Sequence, residues 1–236
     1  MNDILTVKDL DYYYIDGDHK RIIFDKTNIS FKQGLFYTIL GQSGSGKTTF
    51  LSLIAGLDKP KGGTIYYEDK DINDIGLDKY RRNYVSMVFQ NYNLINYMNA
   101  YDNVVSALDI AHKKYNDKQV YDLLNRFGID KTKANRKVNK LSGGEQQRVA
   151  IARAISTDTK LIIADEPTGN LDSETSNTIV SLFKELSRDY NKTVIVVTHN
   201  DIVAKESDSI ITIDQDNKKL IYVKWFKKNT TIKKRT

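Results

Sequence analysis

The sequence predicts an α/β fold in which a parallel-sheet core with a phosphate-binding loop is interrupted by a helical lobe. Three observations predict it. Compact apolar runs, the pattern of strands buried on both faces, recur at 35–40, 85–89, 161–164, 194–197 and 210–213. A glycine-rich segment, 41–46, lies between the first of these runs and a stretch of helical character. From about 91 to 142 the apolar spacing changes from strand-like to helix-like.

The elements follow in order. Residues 4–7 and 12–15 read as short strands, with a turn at Asp16-Gly17-Asp18, and 22–24 and 28–31 read as two more. The helix predicted over 47–55 is stopped by Gly56, and Gly62-Gly63 forms a turn before a strand at 64–67. In the helical stretch Val104, Val105, Leu108 and Ala111 share one face, and Val120, Leu123, Leu124 and Phe127 another, with Asp117 as the expected N-cap. After the run at 210–213, residues 214–217 and 220–223 read as a hairpin. The division that results is one domain over 1–236. Its catalytic core and β-subdomain take 1–90 and 157–223, its helical lobe 91–156, and a basic tail 224–236.

Composition narrows the class. A chain of 236 residues is long enough to bury a substantial core, and 40% hydrophobic against 28% charged residues is ordinary for a globular protein. No apolar run approaches the ~20 residues that cross a bilayer, and the N-terminus lacks the pattern of a signal peptide. Without cysteine there is neither a disulfide framework nor a thiolate metal site. The net charge of +6 is spread along the chain except at the tail. There Lys227, Lys228, Lys233, Lys234 and Arg235 gather with Trp225 and Phe226, which reads as a solvated terminus rather than a membrane contact.

The chemistry starts at Gly41-Gln42-Ser43-Gly44-Ser45-Gly46-Lys47-Thr48, which matches G-x-x-x-x-G-K-[ST] between a predicted strand and a predicted helix. The glycines let consecutive N–H groups turn inward onto phosphate oxygens, and the helix start adds its positive dipole end. Lys47 supplies a point charge for the β- and γ-phosphates, and the Thr48 hydroxyl is a ligand for Mg²⁺; Thr49 completes the ATP-binding set. Asp165-Glu166 follows the run at 161–164, so both acids arrive at the carboxyl edge of the sheet, where open α/β folds bind ligands. Asp165 is placed to hold the Mg²⁺ shell and Glu166 to orient or deprotonate a water. Alone, the pair would read equally well as solvated acids; the phosphate loop upstream decides for function.

Leu141-Ser142-Gly143-Gly144-Glu145-Gln146-Gln147-Arg148 resembles the signature motif of ABC-type ATPases. Small residues and exposed N–H groups at a helix start form an anion site. The resemblance runs from Leu5 to about Val223 and implies a RecA-like P-loop NTPase core with an N-terminal antiparallel β-subdomain and an inserted α-helical subdomain. It assigns Tyr14 to adenine stacking, Gln90 to the Q-loop that reaches Mg²⁺ and water, Asn170-Leu171-Asp172 to the D-loop, and His199 to the γ-phosphate. His19 and His112 match nothing and read as surface residues.

The same resemblance implies a head-to-tail dimer holding two ATP molecules, with Ser142, Gly143, Gly144 and Asp172 meeting the nucleotide bound by the other copy. It also implies a separate transmembrane permease, a place at the cytoplasmic face of the membrane, and no nucleic-acid partner. Gly56-Leu57-Asp58-Lys59-Pro60, the segment from Ala164 to Asp172, and Val197-Thr198-His199-Asn200 resemble the MacB/LolD group. That group moves lipoproteins, macrolides or peptides. Asn96-Tyr97-Met98-Asn99 departs from relatives that more often carry Pro and Thr there, which bears on permease choice rather than hydrolysis. Three rivals make other predictions. A soluble ABC ATPase acting on DNA or ribosomes would usually carry a coiled coil, a zinc module or a second cassette. A non-hydrolysing regulatory module would lack Glu166 or His199, and a P-loop kinase would not explain the signature.

Overall fold

The computed structural model describes residues 2–225 apart from Asn170. The chain opens with two long strands, β1 (Asp3–Asp16) and β2 (His19–Lys32), then β3 (Phe36–Leu40) and helix α1 (Lys47–Ile54). β4 (Gly62–Tyr67), β5 (Lys70–Asp71), α2 (Ile72–Ile75), α3 (Leu77–Asn83) and β6 (Val85–Val88) follow. The helical stretch holds α4 (Ala100–Ile110), α5 (Asp117–Arg126), α6 (Lys131–Ala134), a 3₁₀ turn at Val138–Lys140 and α7 (Gly143–Ser156). The chain then alternates through β7 (Leu161–Asp165), α8 (Ser173–Arg188), β8 (Thr193–Thr198), α9 (Asp201–Glu206), β9 (Ser209–Asp214) and β10 (Lys219–Trp225).

Two sheets result. One is antiparallel, in the order β2-β1-β4-β5; the other runs β10-β9-β3-β8-β7-β6, parallel except for the hairpin of β9 and β10. The parallel strands are buried on both faces, and their alternate residues feed two cores. Leu161, Ile163, Ile195 and Val197 join the apolar side chains of α1 and the antiparallel sheet. Ile162, Ala164, Val194 and Val196 face Ile179 and Phe183 of α8, and this layer continues into Val104, Leu108, Val120 and Leu124 of the helical stretch. Burying each Val, Leu, Ile or Phe side chain of these layers contributes roughly 1.5–3 kcal/mol, so the sheet's carboxyl edge is firmly held.

Three details differ from the sequence expectation. The four short N-terminal strands are two long ones, because Asp9 and Lys26 take positive φ (49° and 42°) in bulges that reset the alternation. Asn28 holds the bulge, accepting from the Asp9 amide at 3.0 Å and donating to its carboxylate at 2.9 Å. Gly62 and Gly63 lie inside β4 rather than in a turn. A Cβ at Gly63 would stand 2.3 Å from the Asp9 carbonyl, so the bulged strand admits only glycine beside it. The N-cap of α5 is Asn116, whose side chain and Gln119 form a reciprocal capping box, which leaves Asp117 in the first turn. Tyr101 donates to Asp117 instead, and that carboxylate pushes the phenol up to about 12.

α1 ends as expected, at Gly56 with φ 67°, and Tyr80, fully buried, donates its hydroxyl to the Ile54 carbonyl at 2.8 Å. The helix that follows the phosphate loop is therefore anchored at its far end.

Candidate functional site

Strand order assembles the site. β3, β8 and β7 are neighbours, with Leu40 paired to Thr198 and Asp165 to Val197, so the loop after β3, the residues after β8 and the acids after β7 emerge side by side. The loop turns through Gly44 and Gly46 at φ 77° and 100°. At Gly46 a Cβ would also stand 2.7 Å from Ile23 Cγ2. α1 starts at Lys47 with no side chain capping it, so its first amides face the loop's hollow. Lys47 is buried and donates from Nζ to the Gly41 and Gln42 carbonyls at 2.7 and 2.8 Å.

Beside Lys47 lie the two acids. Burial raises the Asp165 carboxyl above its ordinary range, against the opposing pull of a hydrogen bond from Thr48 and the charge of Lys47. Glu166 follows with φ 43°, a left-handed backbone for a non-glycine residue, fixed by its amide donating to the Val197 carbonyl at 2.9 Å. Its carboxylate is gripped on both oxygens. The Thr198 hydroxyl donates to Oε2 at 2.8 Å, and His199 Nδ1 lies 2.9 Å from Oε1.

Lys47, Asp165, Glu166 and His199 line one cavity of about 680 Å³, together with Gln42, Ser43, Gly44, Gly46, Thr48, Thr49, Gln90 and Tyr14. Gly41 and Ser45 support the loop from behind, where the Ser45 hydroxyl would lie 3.0 Å from a Cβ at Gly41. Among the three consecutive tyrosines the structure separates the roles. Tyr12 is buried against Asp58, Tyr13 lies under Lys20, and Tyr14 enters the cavity with its hydroxyl 3.1 Å from Thr49 Oγ1. Three residues of the site were not foreseen. Arg21 and Ile23 line the cavity from β2, and Thr198 orients Glu166. A polar residue ending a buried strand beside the acid-bearing one was the available signal for Thr198.

The donor set suits Mg²⁺. The Thr48 hydroxyl and the Asp165 carboxylate, already bonded to each other, are hard oxygen ligands, and Gln90 lines the same cavity. Mg²⁺ is ordinarily held by one or two carboxylates, waters and substrate phosphates, so this sparse set is enough.

Ser142, Gly143 and Gly144 do not line this cavity. Ser142 caps α7 in a reciprocal box with Glu145. Gly143 and Gly144 sit so close to Tyr92 and Thr175 that a Cβ on either would stand 3.0 Å away. Thr175 is in turn bonded to Asp172, the N-cap of α8, so the signature segment and Asp172 form one surface. Asn170, also assigned to the D-loop, lies outside the described residues, as does the basic tail from Phe226 onward. His19 and His112 are exposed and do not line the cavity.

Residues 24–169 match the family model described as ABC transporter. An uncharacterized ABC transporter ATP-binding protein of Bacillus subtilis, YclH, is 49% identical over 214 residues, 90% of this chain and 94% of its own. The lipoprotein-releasing system ATP-binding protein LolD of Buchnera aphidicola is 36% identical over 220 residues, 91% of this chain and 96% of its own. Among solved structures, the dimeric post-hydrolysis state of the ATP-binding cassette MJ0796, from Methanocaldococcus jannaschii and bound to ADP and Pi, superposes with a TM-score of 0.85. It is 36% identical and covers 94% of this chain and 100% of its own.

Proposed function

This chain belongs to the ABC transporter family of ATP-binding proteins, and we propose that it hydrolyses ATP as the motor subunit for a separate membrane permease. The observation that carries the reading is the convergence of the phosphate loop, Gln90, Asp165, Glu166 and His199 on one cavity. The likeness to LolD, of a lipoprotein-releasing system, supports a permease of the lipoprotein, peptide or antibiotic class, at whose cytoplasmic face the chain would sit. The division into a core (1–90 and 157–223), a lobe (91–156) and a tail (224–236) belongs to the same proposal, as does the absence of a nucleic-acid partner.

In this reading Tyr14 stacks on the adenine, and the amides of 41–49 with Lys47 hold the phosphates. Glu166 orients or deprotonates the attacking water, and Thr198 and His199 fix its carboxylate. His199 is largely exposed on its other side, where it can meet the γ-phosphate. Mg²⁺, held by Thr48, Asp165 and Gln90, would supply neutralising charge to the β- and γ-phosphates. The dimeric likeness supports a head-to-tail pair in which Ser142, Gly143, Gly144 and Asp172 of one copy close the cavity of the other.

Affinity purification of the tagged chain from solubilised membranes, followed by ATPase assays with and without the copurified partner, tests the reading. Recovery of a permease that stimulates hydrolysis is expected. Recovery of ribosomes or DNA with no membrane protein would leave the ATPase in place and overturn the transport role.

A further inference from the structure

One cation in the cavity has no part in the chemistry described above. Arg21 lies on β2 directly across from Tyr14 in the antiparallel ladder with β1. Side chains paired in this way project from the same face, and both line the cavity beside the phosphate loop. Tyr13 and Lys20 project from the other face, where the ammonium stands 3.9 Å from the ring centroid. The hairpin thus sorts these two adjacent cations, Lys20 outward and Arg21 toward the cavity.

β2 is pressed against the loop. Ile23, two residues after Arg21 on the same strand, is the side chain that leaves no room for a Cβ at Gly46. Arg21 itself is exposed, and its Nη2 donates to the Gly44 carbonyl across 3.4 Å, the long end of the hydrogen-bond range. Among the described residues no carboxylate forms an ion pair with it. A planar five-donor cation without an acid, loosely tethered at the middle of a phosphate loop, is suited to phosphate oxygens. Lys47 meanwhile commits two of its three N–H groups to the Gly41 and Gln42 carbonyls.

We propose that Arg21 is a further nucleotide-contacting residue, its guanidinium reaching the α- and β-phosphate oxygens of the bound nucleotide. The cavity's own layout locates the contact. Tyr14 marks the base end, and Glu166 and His199 mark the γ-phosphate end. The phosphates between them pass the loop at Gly44, where Arg21 is tethered. The proposal rests on the reading that this cavity binds ATP, and it adds a positive charge that the phosphate-loop motif does not contain.

Calorimetric titration with ADP, at low and high ionic strength, tests it on wild type, Arg21→Ala, Arg21→Gln, Arg21→Lys and Lys47→Ala. Losing a charged hydrogen bond to phosphate is expected to raise Kd about 10-fold in both the Ala and Gln variants. Lys should recover part of the loss, and the Ala and Gln variants should depend less on salt than wild type. In turnover, KM for ATP should rise with kcat nearly unchanged. Gln retains a neutral donor for the Gly44 carbonyl, so wild-type affinity in Arg21→Gln would make Arg21 a tether of the loop and overturn the proposal. If Lys47→Ala loses binding while both neutral Arg21 variants keep it, Arg21 fails and the site stands. A wild type that binds no ADP would overturn both.

Discussion

The cavity and the signature surface both lie at helix starts, yet they are built in opposite ways. The cavity is made by strands. Three adjacent parallel strands deliver the phosphate loop, Glu166 and His199 to one edge, and Lys47, Thr198 and the Glu166 amide fix the groups in place. The signature surface is made by helices. Ser142 and Glu145 satisfy each other across the first turn of α7, and Gly143 and Gly144 are packed against Tyr92 and Thr175 without facing any part of the cavity. In the proposed reading the first binds the nucleotide and activates water, and the second, which lines no part of its own copy's cavity, meets the nucleotide of the other copy. A site in two such halves would work only when two copies meet.

The sharpest way to break the cavity half is Glu166→Gln. It preserves shape and the bond from Thr198 but removes the base, so turnover should fall about 10²–10⁴-fold while ATP still binds. Size exclusion with MgATP should then show a trapped dimer; normal hydrolysis would remove Glu166 from its role. A mixing experiment probes the two halves together. Lys47→Ala and Ser142→Arg should each be nearly inactive alone. Mixed, they form dimers with one intact composite site, and random pairing should restore about a quarter of the wild-type rate. No recovery on mixing would mean that Lys47 and Ser142 serve the same copy's nucleotide. Thr198→Val is milder. It keeps the buried shape but leaves Oε2 of Glu166 without its donor, and about a 10-fold loss of turnover with unchanged ATP affinity is expected.

Much of the cavity was legible because its parts are local in sequence. The phosphate loop, the acids after a buried strand and the histidine after another are each read within ten residues, and strand order then brings them together. What stayed hidden depends on pairing across strands. Leu5 and Val7 alternate as buried residues, then Leu10 and Tyr12 do so in the opposite phase, and only the bulge at Asp9 explains why one strand looks like two. The same pairing decides which of three tyrosines enters the cavity and brings Arg21 beside it, a residue with no motif around it. Thr198 was hidden for a related reason: its partner is 32 residues away, just past the end of the next strand. The cap of the signature surface is local, since Ser142 and Glu145 are three apart, but its contacts with Tyr92 and Thr175 are tertiary.

The smallest predicted effect concerns that cap and distinguishes the two halves by pH. Glu145 accepts from the Ser142 amide at 2.9 Å and pairs with Lys133 at 3.0 Å, and these interactions hold its carboxyl below the ordinary value of 4.5. A folded-state pKa below the unfolded one means that the charged form stabilises the fold. That contribution is fully present above about pH 4.5 and disappears as pH falls through the lowered folded value. Glu145→Gln can still accept from the Ser142 amide but loses the pair with Lys133, so it should be less stable than wild type by about 0.5–1 kcal/mol near neutrality. Denaturant titrations of the two proteins should converge as pH drops below the carboxylate range. Asp165 has the opposite tendency, because burial raises its pKa and its charged form costs stability. Neutralising it, as in Asp165→Asn, should leave stability unchanged or higher above its raised pKa while metal-dependent nucleotide binding is lost. A gap between wild type and Glu145→Gln that persists unchanged at low pH would show that the cap draws nothing from the Glu145 charge, and the contrast between the two halves would then rest on geometry alone.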